Sequence, residues 1–197
     1  MKQLDLFNPE IEAETSILGL QYIENYIKKE KELELLEIID HQEWSQVLKR
    51  KVQHYGYRYD YKNKQIDRRD YLGPIPGWLV AISNKLLEDR LLLKMPDQII
   101  INEYMPGQGI APHIDCISYF GEAICSLSLG SDCIMDFTRS GNKIAKLLSA
   151  RSLLLLTRDA RYLWAHSIAA RKSDNHQGAN ISRQRRVSLT FRSVKSA

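Results

Sequence analysis

Ala123-Ile124-Cys125-Ser126-Leu127-Ser128-Leu129, then Gly130-Ser131-Asp132, then Cys133-Ile134-Met135-Asp136-Phe137: this stretch decides the fold class. Two short β-rich runs flank a cluster of turn-forming residues, the signature of paired strands. Working outward, the same texture recurs at Gln98–Tyr104, Ile144–Leu148, Ser152–Thr157 and Arg186–Arg192, with turn signals at Pro106-Gly107-Gln108-Gly109 and Ser140-Gly141-Asn142. Toward the N-terminus the period changes. Leu18, Leu20, Ile23 and Ile27 lead into the acidic stretch Lys28–Asp40, where Leu33, Leu36 and Ile39 recur at helical spacing. Trp78–Arg90 returns to that spacing through Leu79, Ile82, Leu86 and Leu87. Tyr71–Gly77, with two glycines and two prolines, reads as loop, and polar Arg171–Arg185 reads as an exposed loop. Helices followed by many short strands predict an α+β, mainly β, architecture. The expected form is a double-stranded β-helix (jelly roll) with N-terminal helices packed on one sheet.

Composition narrows the setting. The 197 residues are 44% hydrophobic and 26% charged, ordinary for one globular domain. No apolar run approaches the roughly 20 residues of a membrane span, and Met1–Phe7 lacks the apolar stretch of a secretory signal. Cys116, Cys125 and Cys133 are odd in number and lack the two-residue spacing of a zinc knuckle or a disulfide framework. A cytoplasmic monomer is the expectation. The net charge of +4 is unevenly spread: residues 1–43 carry eleven acidic and four basic side chains, and the remainder carries thirteen and twenty-four. A basic body suits a phosphate backbone.

Within it, Lys49-Arg50-Lys51 precedes Tyr55, Tyr57, Tyr59 and Tyr61, whose alternation predicts four phenols on one face of a strand. Tyr55, Tyr57, Tyr59 and Trp164 are candidates for stacking on bases, with Lys49, Arg50, Lys51 and Arg58 on phosphates, although alternating aromatics also serve plain strand packing.

Pro112-His113-Ile114-Asp115 is the sharpest local feature. On an extended segment, residues two apart project to one side, so His113 and Asp115 can offer nitrogen and oxygen to one ion. His166, in Leu163-Trp164-Ala165-His166-Ser167, can supply a third ligand 51 residues later, with His41, His54 and His176 as competitors. Two histidines and a carboxylate leave open positions for an oxygen-activating iron(II), and could also hold zinc. In Arg186-Val187-Ser188-Leu189-Thr190-Phe191-Arg192 the even spacing puts Arg186, Ser188, Thr190 and Arg192 on one face and the apolar residues on the other. Arginine's planar fork suits a carboxylate.

As an ordered set, Asn102–Asp115, Ser126–Ser131, Met135–Phe137, Arg161–His166 and Arg186–Arg192 resemble the AlkB family of Fe(II)/2-oxoglutarate-dependent dioxygenases. The resemblance implies that His113, Asp115 and His166 hold iron(II). It implies that Asn102, Tyr104, Arg186, Ser188 and Arg192 hold 2-oxoglutarate, with O2 as the second cosubstrate. Ser167 stands where many members have glycine, and Ser188 where some have asparagine. It further implies a helical segment with nucleotide-recognition strands over residues 1–96 and an oxygenase core over 97–195.

His54-Tyr55-Gly56-Tyr57 and Ser126–Phe137 are most similar to the AlkB-type domain that hydroxylates a modified wobble uridine in tRNA; stand-alone bacterial members are similar too. Three functions follow as expectations. The first is oxidation of an alkylated or modified base in DNA or RNA, either as repair demethylation or as tRNA hydroxylation. The second is oxidation of a protein or small molecule. The third is nucleic-acid binding without turnover. A target base in a duplex must leave the stack, so flipped or single-stranded substrates are expected.

Overall fold

The computed structural model describes residues 17–45, 50–59 and 68–195. Lys49 and Tyr61, both assigned to the basic tyrosine-rich strand, lie outside them.

A six-stranded antiparallel sheet and a four-stranded one form the two walls of a jelly roll. The larger contains β1 (Leu20–Ile23), β2 (Lys51–Gly56), β3 (Gln98–Tyr104), β5 (Phe120–Gly130), β8 (Leu153–Leu156) and β12 (Arg186–Val194), in the order β1-β8-β5-β12-β3-β2. The smaller runs β4-β9-β6-β7, from β4 (Ile110–His113), β6 (Cys133–Arg139), β7 (Asn142–Leu148) and β9 (Ala165–Ile168). Strand pattern explains the layering. In β12, Val187, Leu189 and Phe191 are fully buried with Ile99 and Ile101 of β3 and Cys125, Leu127 and Leu129 of β5. That face receives α1 (Lys29–Asp40) and α2 (Gly77–Glu88) through Leu35, Ile39, Leu79, Ile82 and Leu86. The opposite face looks toward the smaller sheet, where Met135, Phe137, Leu154 and Leu156 make a second apolar cluster. Each such side chain contributes roughly 1.5–3 kcal/mol by leaving water.

Four expectations need correction. Leu20–Ile23 is not helical: it is an edge strand paired with β8, its Leu20 opposite Leu156. The face α1 buries is Glu32, Leu35 and Ile39, while Leu33 is 57% exposed. Glu32 turns inward because it accepts the Gly130 N–H at 2.8 Å and pairs with Arg151 at 3.1 Å.

Arg171–Arg185 contains a hairpin, β10 (Ser173–His176) with β11 (Ala179–Ser182), closed by Gln177 and Gly178, both at positive φ. Buried Asp174 anchors it, accepting from Arg183 at 2.6 Å, from Arg171 at 2.7 Å and from the Ile134 N–H at 3.0 Å. Finally, Tyr55, Tyr57 and Tyr59 do not share a face. Strand β2 ends at Gly56, whose φ of 75° and close approach to the Asp97 carbonyl admit no side chain. Beyond that break the alternation loses its meaning.

Candidate active site

The two sheets enclose a cavity of about 430 Å³ between β12, β3 and β5 on one side and β4 and β9 on the other. Of the five histidines, only His113 and His166 line it. They are direct cross-strand partners in the β4–β9 ladder, with ring centroids 4.3 Å apart. The strands can approach this closely because Gly109 lies against β9: a Cβ there would stand 2.1 Å from the Ile168 carbonyl oxygen. Asp115, two residues beyond His113, brings Oδ2 to 3.9 Å from His166 Nε2.

The protonation states suit metal binding. His113 Nδ1 lies 2.8 Å from the Ala111 carbonyl oxygen, which fixes the proton there and leaves Nε2 with a lone pair. Burial lowers the His166 pKa to about 4, against the pull of Asp115, so this imidazole is neutral near pH 7. Its Nδ1 is buried without a hydrogen-bond partner. Burial disfavours charge on Asp115, but Arg192, followed by His166 and His113, outweighs it and holds the carboxyl below its usual range. Among the described residues no three His, Cys, Asp or Glu side chains are already gathered as a closed metal cluster. Asp115 Oδ1 instead meets Arg192 at 2.6 Å. As a donor set, two imidazoles, that of His166 neutral, and one ionised carboxylate fit an iron(II) ion with open positions.

A residue without an assigned role in the sequence organises this corner. Arg161, in α3 (Arg158–Tyr162), is 1% exposed. It donates to the carbonyls of Asp115 at 2.7 Å, Gly121 at 3.1 Å, Cys116 at 3.2 Å and Phe120 at 3.3 Å. It thereby ties the loop carrying Asp115 to the segment that leads into His166. No spacing rule signals such a contact, because its partners are backbone carbonyls.

At the other end, β3 and β12 run antiparallel, with Arg186 opposite Tyr104 and Ser188 opposite Asn102. All four side chains line the cavity and are buried. Arg186 is 3% exposed; it donates to the Ser128 hydroxyl at 2.8 Å, its Nε has no partner, and among the described residues it has no ion pair. A buried guanidinium without a counter-charge is costly, and an incoming carboxylate relieves it. Burial raises the Tyr104 pKa despite Arg50 and Arg186, keeping the phenol a neutral donor.

The candidates for base and phosphate contact fare unevenly. Arg58 is exposed and Tyr59, half-buried, lines the cavity beside Phe120. Tyr57 packs on Tyr71 outside the cavity. Tyr55 lies edge-on to Trp78 against the helix-facing core, bonded to Gln53, and does not line the cavity. Trp164, half-buried, packs against the inter-sheet cluster and does not line the cavity. Arg50 lines the cavity itself, with Nε 2.8 Å from Asn102 Oδ1, where a phosphate contact had been expected.

Comparison with known proteins shows the family. The profile of the 2OG-Fe(II) oxygenase superfamily matches residues 19–192. The Uncharacterized protein L905 of Acanthamoeba polyphaga mimivirus is 37% identical over 89% of this chain and 85% of its own length. The tRNA (carboxymethyluridine(34)-5-O)-methyltransferase ALKBH8 of Macaca fascicularis is 40% identical over 90% of this chain, but the match spans only 30% of that protein. The Alkylated DNA repair protein ALKBH8 homolog of Arabidopsis thaliana is 35% identical, over 94% of this chain and 61% of its own. In fold, OsALKBH1 aligns with a TM-score of 0.68 over 89% of this chain and 96% of its own, at 14% identity. No helix among the described residues is long and apolar enough to cross a membrane. The chain belongs to the 2OG-Fe(II) oxygenase superfamily, as an AlkB-type oxidoreductase that uses Fe(II), 2-oxoglutarate and O2.

Proposed function

We propose that this oxygenase oxidises a carbon on an alkylated or modified nucleobase in DNA or RNA, acting as a monomer on flipped or single-stranded substrate. The observation that carries the reading is one cavity holding a cross-strand histidine pair and a carboxylate at one end and the unpaired Arg186 at the other. His113, Asp115 and His166 are assigned to the metal; Asn102, Tyr104, Arg186, Ser188 and Arg192 are assigned to 2-oxoglutarate. Bound together, iron and 2-oxoglutarate supply the oxidising power: O2 is consumed, 2-oxoglutarate becomes succinate and carbon dioxide, and a C–H bond of the substrate becomes C–OH. The protein's share is to orient that carbon, exclude water and keep the His166 imidazole neutral. On an N-methyl group the alcohol breaks down to formaldehyde and the unmodified base.

Nucleic acid is favoured as the substrate by the basic balance beyond residue 43 and by exposed Arg58 beside Tyr59 at the cavity. A 26% identical relative from Caenorhabditis elegans is a DNA N6-methyl adenine demethylase. A second reading, hydroxylation of a tRNA wobble-uridine side chain, is favoured by the higher identity, 37–40%, to proteins named for carboxymethyluridine 34 of tRNA.

The deciding experiment loads the protein anaerobically with Fe(II), adds 2-oxoglutarate and O2, and compares methylated oligonucleotides with total tRNA. Formaldehyde from the oligonucleotides supports demethylation, and a gain of one oxygen on a tRNA uridine supports the second reading. Succinate with neither product shifts the substrate to a protein or small molecule. Bound iron with no succinate under any condition ends the assignment of turnover.

A further inference from the structure

The basic run Lys49-Arg50-Lys51 invites one interpretation for all three side chains, but the two that are described point different ways. Lys51 is exposed and reaches Glu103 at 3.5 Å. Arg50 turns inward: Nε donates to Asn102 Oδ1 at 2.8 Å, and its guanidinium carbon lies 5.7 Å from the Tyr104 ring centroid. Arg186 lies 5.5 Å from the same centroid. Two cations therefore converge on one buried phenol, and among the described residues neither has a carboxylate within ion-pair distance. Arg192, further along the same cavity wall, is already matched by Asp115 at 2.6 Å. The excess positive charge of the cavity is thus concentrated beside Tyr104 and Asn102.

We propose that Arg50 is a specificity-determining residue of the 2-oxoglutarate site, closing over the carboxylate gripped by Arg186, rather than a phosphate-contacting group. The chemistry follows from the donors. A guanidinium fork satisfies one side of a carboxylate, and a second guanidinium nearby can donate to the lone pairs that the first leaves free. Arg50 also sets the Asn102 amide. By donating to Oδ1 it turns the NH2 into the group available to an acceptor in the cavity. Loss of Arg50 removes a charge and frees Asn102 to flip. The inference rests on the assignment of Asn102, Tyr104 and Arg186 to the cosubstrate.

The test is calorimetric titration of 2-oxoglutarate into anaerobic, Mn(II)-loaded protein, using wild type, Arg50→Ala, Arg50→Lys and Arg186→Met. Binding of a single-stranded oligonucleotide is measured in parallel as a function of salt. Arg50→Ala is expected to weaken 2-oxoglutarate binding about 10- to 100-fold, with Arg50→Lys intermediate. The slope of log K for the oligonucleotide against log salt stays unchanged. Arg58→Ala gives the reverse, a slope smaller by about one and full affinity for 2-oxoglutarate. Wild-type 2-oxoglutarate affinity in Arg50→Ala, or a salt slope reduced by about one, overturns the inference. If Arg186→Met also binds 2-oxoglutarate like wild type, the whole cosubstrate assignment falls; if only Arg50→Ala does, Arg50 alone is misassigned. An unchanged melting temperature for Arg50→Ala confirms that the fold is intact.

Discussion

The two faces of the six-stranded sheet are built from the same strands and obey opposite rules. On the helix side, Val187, Leu189, Phe191, Ile99, Ile101 and Leu127 are fully buried against α1 and α2, and the apolar surface is complete within the chain. On the cavity side, Arg186, Ser188, Asn102 and Tyr104 are nearly as buried, yet among the described residues Arg186 has no carboxylate partner and its Nε no hydrogen bond. One face is finished by the polypeptide itself. The other is finished by what it binds. Substitutions on the two faces should therefore separate stability from activity.

The largest effect is expected opposite the cavity face, at His166→Ala. Losing this proposed metal ligand should reduce succinate formation more than about 1000-fold, beyond the 10- to 100-fold typical of an outer-shell partner. Iron binding followed by anaerobic titration checks the cause directly. On the helix face, Phe191→Ala should cost about 3–5 kcal/mol in urea unfolding. Activity per folded molecule should be retained, and an equal loss of both would break the contrast.

Arg186→Met should do the opposite. Cosubstrate affinity should fall about 10- to 150-fold, as expected for loss of a hydrogen-bonded charge. Stability without cosubstrate should hold or rise, since an apolar isostere replaces an unpaired buried cation.

The smallest effect concerns His54, which lies on the cavity side opposite Ile100. Burial, then Arg58, Arg192 and Arg50, lower its pKa from 6.5 to about 4. Its folded-state pKa is depressed, so the unfolded chain takes up a proton first as pH falls. Its contribution to stability is full above about pH 6.5, erodes below that, and is gone once pH has dropped past about 4. His54→Gln should flatten the decline between pH 7 and 4.5, followed by denaturant unfolding without metal.

Which parts of this molecule could be read from its sequence follows from the same contrast. In β12 the alternation of arginine, serine and threonine with valine, leucine and phenylalanine announced both faces at once, and the jelly roll with helices on one sheet followed. The hairpin β10–β11 was hidden because its strands have four residues each and are polar on both sides, so no period stands out. In α1, counting leucines selected Leu33, whereas the salt bridge from Glu32 to Arg151 turns the helix so that Leu35 is inside. At the candidate site, the spacing of His113 and Asp115 put both on one side of an extended segment, and both line the cavity. The pairing of His113 with His166 is a strand register, and a separation of 53 residues does not reveal it. The Arg50 turn into the cavity was likewise invisible, because charge runs carry no direction.

Gly109 carries a consequence for any chain of this type. The gap between the ribbons bearing the two imidazoles is set by a hydrogen atom where every other residue has a carbon. A single added methyl would pry those ribbons apart while leaving each donor atom of the centre in the sequence. Inventory of ligands alone would score such a protein as competent, yet its iron would have nowhere to sit.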